Sequence, residues 1–188
     1  MGKISVFENI SIDGYFAGPN GEIDWFASHP GNQEENEYAV DSVKSTGTLL
    51  FGRVTYEIMA GYWPTDAAMK NSPQLAERMN NIPKIVFSRT LDNVEWNNTR
   101  LVKENIEKEI EMMKNQTVNS MTILGSGSIV SAFAQRGLID EYEFMVNPVV
   151  LGGGRSIFQG IRNRLHLKLL KTRTFKSGNV LLQYQLVK

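Results

Sequence analysis

Met121-Thr122-Ile123-Leu124-Gly125-Ser126-Gly127-Ser128-Ile129-Val130-Ser131-Ala132-Phe133-Ala134-Gln135-Arg136-Gly137 reads as a short buried strand, a glycine turn and then a helix. Ile123 and Leu124 supply the apolar run. Gly125 and Gly127 break it and permit positive φ or close backbone approach. Ser126 or Ser128 is placed to cap the helix that follows. Ile129, Phe133 and Ala134 recur at helical spacing and give that helix a core face. A helix start offers free N–H groups and the positive end of the macrodipole, which together suit a phosphate. The same residues equally suit a tight β-α turn whose glycines serve packing alone. The spelling is not a full G-x-G-x-x-G, because Val130 stands at the third glycine position counted from Gly125, and no P-loop Lys-Ser/Thr pair follows.

Working outward, Thr48-Leu49-Leu50-Phe51-Gly52 is another short buried strand, and Arg53-Val54-Thr55-Tyr56-Glu57 begins a helix that Tyr62-Trp63-Pro64 closes. Pro73 to Asn80 is a short helix with proline in its first turn. Lys84-Ile85-Val86-Phe87-Ser88 is an apolar strand followed by polar Arg89-Thr90. Arg100 to Val102 is a weak strand. Asn105 to Asn115 is a helix with Ile106, Ile110 and Met113 on one face. This rhythm predicts a mostly parallel sheet with crossover helices. Before it, Lys3 to Ile12 is a strand that ends at Ser11-Ile12-Asp13-Gly14. Tyr15 to Trp25 is rich in turn formers, with Gly18-Pro19-Asn20-Gly21 at its centre, and is a mobile-loop candidate. Asn32 to Ser45 is an amphipathic helix. At the other end, Glu141 to Val150 is a strand interrupted by Gly152-Gly153-Gly154. Leu165 to Phe175 and Val180 to Val187 form a hairpin across Lys176-Ser177-Gly178-Asn179. The fold class is α/β, a mostly parallel sheet with antiparallel strands added at its C-terminal end, in a single domain over residues 1–188.

The charge balance narrows the function. Lys+Arg and Asp+Glu are both 20, and no basic block marks a nucleic-acid footprint. Cysteine is absent, which removes disulfides, thiolate metal sites and cysteine nucleophiles and fits a reducing cytoplasm. The two histidines, His29 and His166, stand far apart, against a histidine metal site. Lys3-Ile4-Ser5-Val6-Phe7 carries no signal-peptide pattern. No apolar run approaches the ~20 residues that span a bilayer. The expectation is a cytoplasmic protein without metal, nucleic-acid or membrane partners.

In open α/β sheets, ligands bind outside the carboxyl ends of the strands. Gly52-Arg53, Ser88-Arg89 and Gly125-Ser126 all stand at such ends. Each alone has an ordinary reading: a solvated helix arginine, a turn serine, a surface charge. Together they line up two guanidinium groups, several small hydroxyls and two helix starts. Arginine matches phosphate oxygens bidentately, so a ligand with several phosphate groups, such as a dinucleotide, would use them all.

Five motifs in order carry a resemblance over nearly the whole chain. They are Ser11-Ile12-Asp13-Gly14-Tyr15, Gly52-Arg53-Val54-Thr55-Tyr56-Glu57, Ser88-Arg89, Gly125-Ser126-Gly127-Ser128, and Asn147-Pro148-Val149-Val150-Leu151-Gly152-Gly153-Gly154. The sequence resembles the dihydrofolate reductase fold. More closely, it resembles the reductase domain of the riboflavin-biosynthesis deaminase-reductase and its stand-alone relatives. The resemblance implies NADPH as cofactor and hydride transfer to a small pyrimidine- or pteridine-like heterocycle. It implies a cofactor site at Gly52, Arg53, Thr55, Ser88, Arg89, Gly125, Ser126, Gly127, Ser128 and Ile129, with Ser88-Arg89 facing the adenosine 2′-phosphate. The Tyr15–Trp25 loop then matches the lid over the nicotinamide. Trp25 and Asp24 are the candidate substrate contacts, and Asp13 the candidate polar group at the reaction centre, where an Asx turn with Gly14 is its other reading. The resemblance also implies a homodimer, for which Phe144-Met145-Val146 and Val149-Val150-Leu151 supply apolar runs at a sheet edge. Phe26-Ala27-Ser28-His29-Pro30-Gly31 lacks the early carboxylate with which dihydrofolate reductases bind the pterin, so dihydrofolate is expected to be a poor substrate. The rival functions are 5-amino-6-(5-phosphoribosylamino)uracil reduction and a non-catalytic dinucleotide-binding module.

Overall fold

The computed structural model describes residues 2–27, 33–116 and 119–187. The chain opens with β1 (Ile4–Ser11), β2 (Tyr15–Ala17), α1 (Asp24–Ala27) and α2 (Gln33–Ser45). Next come β3 (Thr48–Gly52), α3 (Arg53–Tyr62), α4 (Asp66–Asn71), α5 (Pro73–Asn81), β4 (Lys84–Phe87) and β5 (Thr99–Val102). Then follow α6 (Ile106–Gln116), β6 (Met121–Leu124), α7 (Gly127–Ala134), β7 (Glu141–Asn147), β8 (Arg155–Ser156), β9 (Leu167–Thr174) and β10 (Val180–Leu186). Eight of the strands form the main sheet, which is mostly parallel with antiparallel C-terminal strands. The chain divides into two compact units, one of Met1–Lys3 with Glu37–Ser126, the other of Ile4–Asn36 with Gly127–Lys188.

In the first unit the strand order is β5-β4-β3-β6 and every pairing is parallel, with Gly52 opposite Phe87 and Leu50 opposite Ile123. Leu49-Leu50-Phe51 and Ile85-Val86-Phe87 are buried throughout, as strands covered on both faces require. One core gathers Leu49, Phe51, Tyr56, Met79, Ile82, Val86 and Trp96. Trp96 lies outside the helices and strands, yet its ring stacks on Phe51 at 6.2 Å and its Nε1 donates to Asn80 Oδ1 at 2.7 Å. Lys84 is fully buried at the start of β4. Its Nζ donates to the carbonyls of Met79 (2.8 Å), Asn80 (3.2 Å) and Ile82 (2.7 Å), and sits 4.4 Å from the Trp96 ring centre. A side-chain ammonium thereby satisfies carbonyls that the end of α5 leaves without helical partners.

In the second unit the order is β1-β7-β10-β9. β1 and β7 are parallel, while β7–β10 and β10–β9 are antiparallel, with a shift of register at Gln183/Tyr184. The hairpin turns at Phe175–Asn179, where Gly178 has φ 92°. Two expectations change here. β7 stops at Asn147 rather than Val150, because Pro148 has no N–H to continue the ladder. It also lies between β1 and β10, so Phe144 and Met145 are buried within the unit and do not supply a sheet edge. The outer strand is β9, with Leu169 and Leu170 half exposed.

Ile4, Val6 and Glu8 are the buried positions on one face of β1, and the register sets Tyr142 opposite Val6 and Phe144 opposite Glu8. Glu8 Oε2 and the Tyr142 hydroxyl are both buried without a hydrogen-bond partner among the described residues. Burial pushes the Glu8 carboxyl well above its ordinary range, and burial together with Asp140 pushes Tyr142 up to about 12. Glu8 is therefore held neutral in the folded chain but ionises near its usual value in the unfolded one. The resulting stability is complete below the unfolded pKa and declines as pH rises toward the folded one, at up to ~1.4 kcal/mol per pH unit for one proton. Glu8→Gln should flatten this slope and make the variant the more stable form at pH 8. Urea titrations of both proteins at pH 5 and pH 8 decide this, and parallel slopes would refute it.

Candidate functional site

The first unit brings the ends of β4, β3 and β6 side by side. β3 ends at Gly52 and α3 begins at once. Gly52 offers no side chain to cap it, so the first N–H groups of α3 have neither an intrahelical acceptor nor a cap. Gly52 N–H itself donates to Ser126 Oγ at 2.9 Å. Gly125 and Ser126 are both left-handed, at φ 60° and 67°. A Cβ on Gly125 would stand 3.2 Å from Thr55 Cγ2, so the glycine loop lies against the first turn of α3. Ser126 is thus buried and engaged with β3 rather than with the helix after it, which settles one of the two capping assignments against Ser126. Arg53 is half exposed and its Nη1 meets Glu57 Oε2 at 2.9 Å, one helical turn on. At the end of β4, Ser88 Oγ accepts from Thr90 N (3.2 Å) and Leu91 N (3.1 Å), making a tight turn that carries Arg89. Arg89 is exposed and in no ion pair among the described residues. Gly52, Arg53, Thr55, Ser88, Arg89, Gly125 and Ser126 therefore share one edge of one unit.

Gly127, Ser128 and Ile129 open α7 in the second unit. A Cβ on Gly127 would come under 3.0 Å from the Phe16 ring of β2, so the missing side chain at Gly127 is filled by Phe16. Ser128 is exposed, and Ile129 is buried in the core face of α7.

Asp13 makes no Asx turn across Gly14: Tyr15 N–H, two positions on, donates to Ser11 Oγ at 3.0 Å, and Gly14 N–H bonds the Ser11 carbonyl. The Asp13 carboxylate accepts from Leu151 N (3.1 Å) and Gly152 N (2.8 Å) and ties the end of β1 to the glycine-rich segment. The Ser11 hydroxyl and those amides hold its pKa below the ordinary value, so it is anionic at neutral pH and acts as an acceptor. The Tyr15–Trp25 stretch contains regular structure that its turn formers do not announce. β2 pairs antiparallel with β8, and Gly154 fits where a Cβ would strike the Ala17 carbonyl. Glu22 closes the turn by accepting from Asn20 N (2.9 Å) and Nδ2 (2.6 Å), and this bonding, with Arg155 nearby, lowers its pKa. Asp24 is the exposed first residue of α1. Trp25 Nε1 donates to the Glu22 carbonyl at 3.3 Å, and its ring stands edge-on to Phe26 at 4.7 Å.

His29 lies outside the described residues. His166 is exposed, and its carbonyl accepts from Val187 N–H. Both acids early in α2 are engaged: Glu34 pairs with Arg173 at 2.9 Å, and Glu35 accepts from Ser177 and Asn179. Sequence reasoning missed Asn9 and Asn147, paired by Asn147 Nδ2 to Asn9 Oδ1 at 3.2 Å near the carboxyl ends of β1 and β7. Their separation of 138 positions leaves no local signal.

Residues 3–181 match the RibD C-terminal domain. The chain belongs to that family. A relative within reach of it is the uncharacterized protein YyaP of Bacillus subtilis, 30% identical over 175 residues, which cover 93% of this chain and 90% of that one. Among solved structures, a provisionally assigned riboflavin biosynthesis protein from Shewanella sp. PV-4 superposes with TM-score 0.78 at 24% identity, covering 99% of both chains. Dihydrofolate reductase from Enterococcus faecalis, solved with NADP(H), superposes with TM-score 0.63 at 14% identity, covering 99% of this chain and 97% of that one. These likenesses show the RibD C-terminal fold to be dihydrofolate reductase-like. Among the described residues of this RibD-type chain no helix is long and apolar enough to cross a membrane.

Proposed function

We propose that this protein is an NADPH-dependent reductase of a small pyrimidine- or pteridine-like heterocycle, working as one domain in the cytoplasm. The carrying observation is the edge of the first unit, where uncapped α3 amides, Arg53 and the unpaired Arg89 gather beside the Gly125-Ser126 loop. The donor set fits a phosphorylated dinucleotide: N–H, O–H and guanidinium groups, with Glu57 the one carboxylate paired among them. Bound there, NADPH would supply the hydride. The α3 amides and Arg53 would hold the pyrophosphate oxygens, Arg89 the 2′-phosphate, and Gly125 lets the loop lie close against Thr55. Ser128 and Ile129 continue this loop into α7. On the substrate side, Asp24 and Trp25 are the contacts we assign, and the anionic Asp13 positions the 151–152 backbone rather than donating a proton.

Calorimetric titration with NADPH and NADH tests this. NADPH should bind at least tenfold more tightly. Arg89→Ala should erase most of that preference. Arg53→Ala should weaken NADPH about tenfold, near 1.4 kcal/mol, because Glu57 already shares its guanidinium. Glu57→Gln should act in the opposite direction. Equal affinities for the two cofactors in the native protein would defeat the reading. Cofactor oxidation over a panel of heterocycles then separates a reductase from a binding module, and includes 5-amino-6-(5-phosphoribosylamino)uracil as the rival substrate. Dihydrofolate should turn over poorly, since Glu34 and Glu35 are bonded to the β9–β10 hairpin.

A homodimer remains part of this proposal, now through the outer strand β9 and its exposed Leu169 and Leu170. Light scattering should give twice the chain mass, and Leu169→Lys with Leu170→Glu should shift it to the monomer. A monomeric native protein would end this part of the proposal.

A further inference from the structure

The second unit holds an open surface pocket of about 330 Å3 between the segment after β8 and the start of β9. Its floor is apolar: Phe158, Ile161, Leu165 and Leu167. Its rim carries Arg162 and Arg164, with Asn163 between them, and no acidic residue lines it. We propose that this pocket binds a small organic anion, a carboxylate or phosphate monoester bearing one apolar ring.

Three observations carry the assignment. The charge is uncompensated. Arg53, Arg100 and Arg173 each pair with a carboxylate, whereas Arg162 and Arg164 are exposed and in no ion pair among the described residues. Both guanidinium groups line one pocket, and each can give an anion bidentate hydrogen bonds.

The lining is anchored. The half-buried Phe158 ring lies 5.9 Å from both Tyr142 and Phe144, which are buried. The carbonyls of Gln159 and Gly160 accept from Ser131 of α7 and from Gln135 just after it, and the His166 carbonyl accepts from Val187 N–H. The segment that lines the pocket is thus tied down near both of its ends, which lowers the ordering a ligand must impose.

The size selects the ligand. The volume is at the small end of ligand sites, enough for one ring with its acid group and too small for a dinucleotide. The pocket is accordingly a site for a different molecule from the cofactor proposed above. All its residues lie in the second unit, between Phe158 and Leu167.

Phenyl phosphate is the probe, titrated into the full chain and followed by heteronuclear NMR and calorimetry. Saturable binding in the range of ~1 mM or tighter is expected, with the largest shifts at Phe158, Ile161 and Leu165. Inorganic phosphate should bind at least tenfold more weakly, because it forgoes the apolar floor. The double variant Arg162→Ala/Arg164→Ala should lose at least tenfold in affinity with an unchanged thermal melt, both side chains being exposed. Absence of saturable binding, equal affinity for inorganic phosphate, or full affinity in the double variant would each overturn the proposal. Displacement of phenyl phosphate by NADPH would do so as well, since the probe would then occupy the edge of the first unit.

Discussion

Lys84→Met should destabilise the protein by about 3–5 kcal/mol, the scale of removing one partner from a buried charged cluster. Methionine keeps the apolar stem and much of the volume, so the loss isolates the ammonium. Three carbonyls, at Met79, Asn80 and Ile82, then lose their donor inside the core, and each unsatisfied buried group carries a penalty of about 1–3 kcal/mol. The contact with the Trp96 ring goes too. Burial pulls the Lys84 pKa down to about 8, so the side chain still carries its charge at neutral pH. Urea denaturation followed by circular dichroism measures the effect. A loss below about 1 kcal/mol would mean that water reaches the carbonyls and the ammonium is dispensable.

The second large effect is expected at Gly127. Gly127→Ala places a methyl group under 3.0 Å from the Phe16 ring. The backbone at Gly127 is not left-handed, so an alanine is acceptable there in φ and the cost is the collision alone. Overpacking of this kind costs about 1–3 kcal/mol. Phe16→Ala removes the obstacle, and the double variant should therefore be more stable than the sum of the two single changes predicts. A coupling of about 1 kcal/mol or more is the signature, and strict additivity would show that the ring moves aside without cost. Gly137→Ala is the contrasting case. Nothing lies within 4 Å of its Cβ position, but its φ of 64° strains any side chain, so no second-site change should rescue it.

Local signals account for what the sequence made legible. β3, β4 and β6 are short apolar runs bounded by turn residues, and each was readable without knowledge of its neighbours. The β9–β10 hairpin was readable from Lys176-Ser177-Gly178-Asn179. The parallel arrangement followed from the helices between strands, and the ends of β3, β4 and β6 stand side by side in the first unit. What escaped has a common physical cause, dependence on distant residues. β2 needs β8 as its partner, and the Tyr15–Trp25 stretch is rich in turn formers. Asp13 acts on amides 138 and 139 positions away, where an Asx turn was the local alternative. Lys84 read only as the first residue of an apolar strand, because nothing nearby announces three carbonyls converging on it. α4 was missed although Thr65 caps it through Ala68 N–H, because six residues carry too little periodicity to register.

The bond from Gly52 N–H to Ser126 Oγ also bears on how this fold can be recombined. It joins two segments 74 positions apart and ties the two glycine motifs together just beyond the β3–β6 ladder. A chimera that crosses over between residues 53 and 125 inherits one partner from each parent. If one parent lacks a hydroxyl at the position of Ser126, every motif can still be spelled correctly while the exit of β3 loses its anchor. The two positions form one heritable unit, and libraries built from related reductase domains should exchange them together.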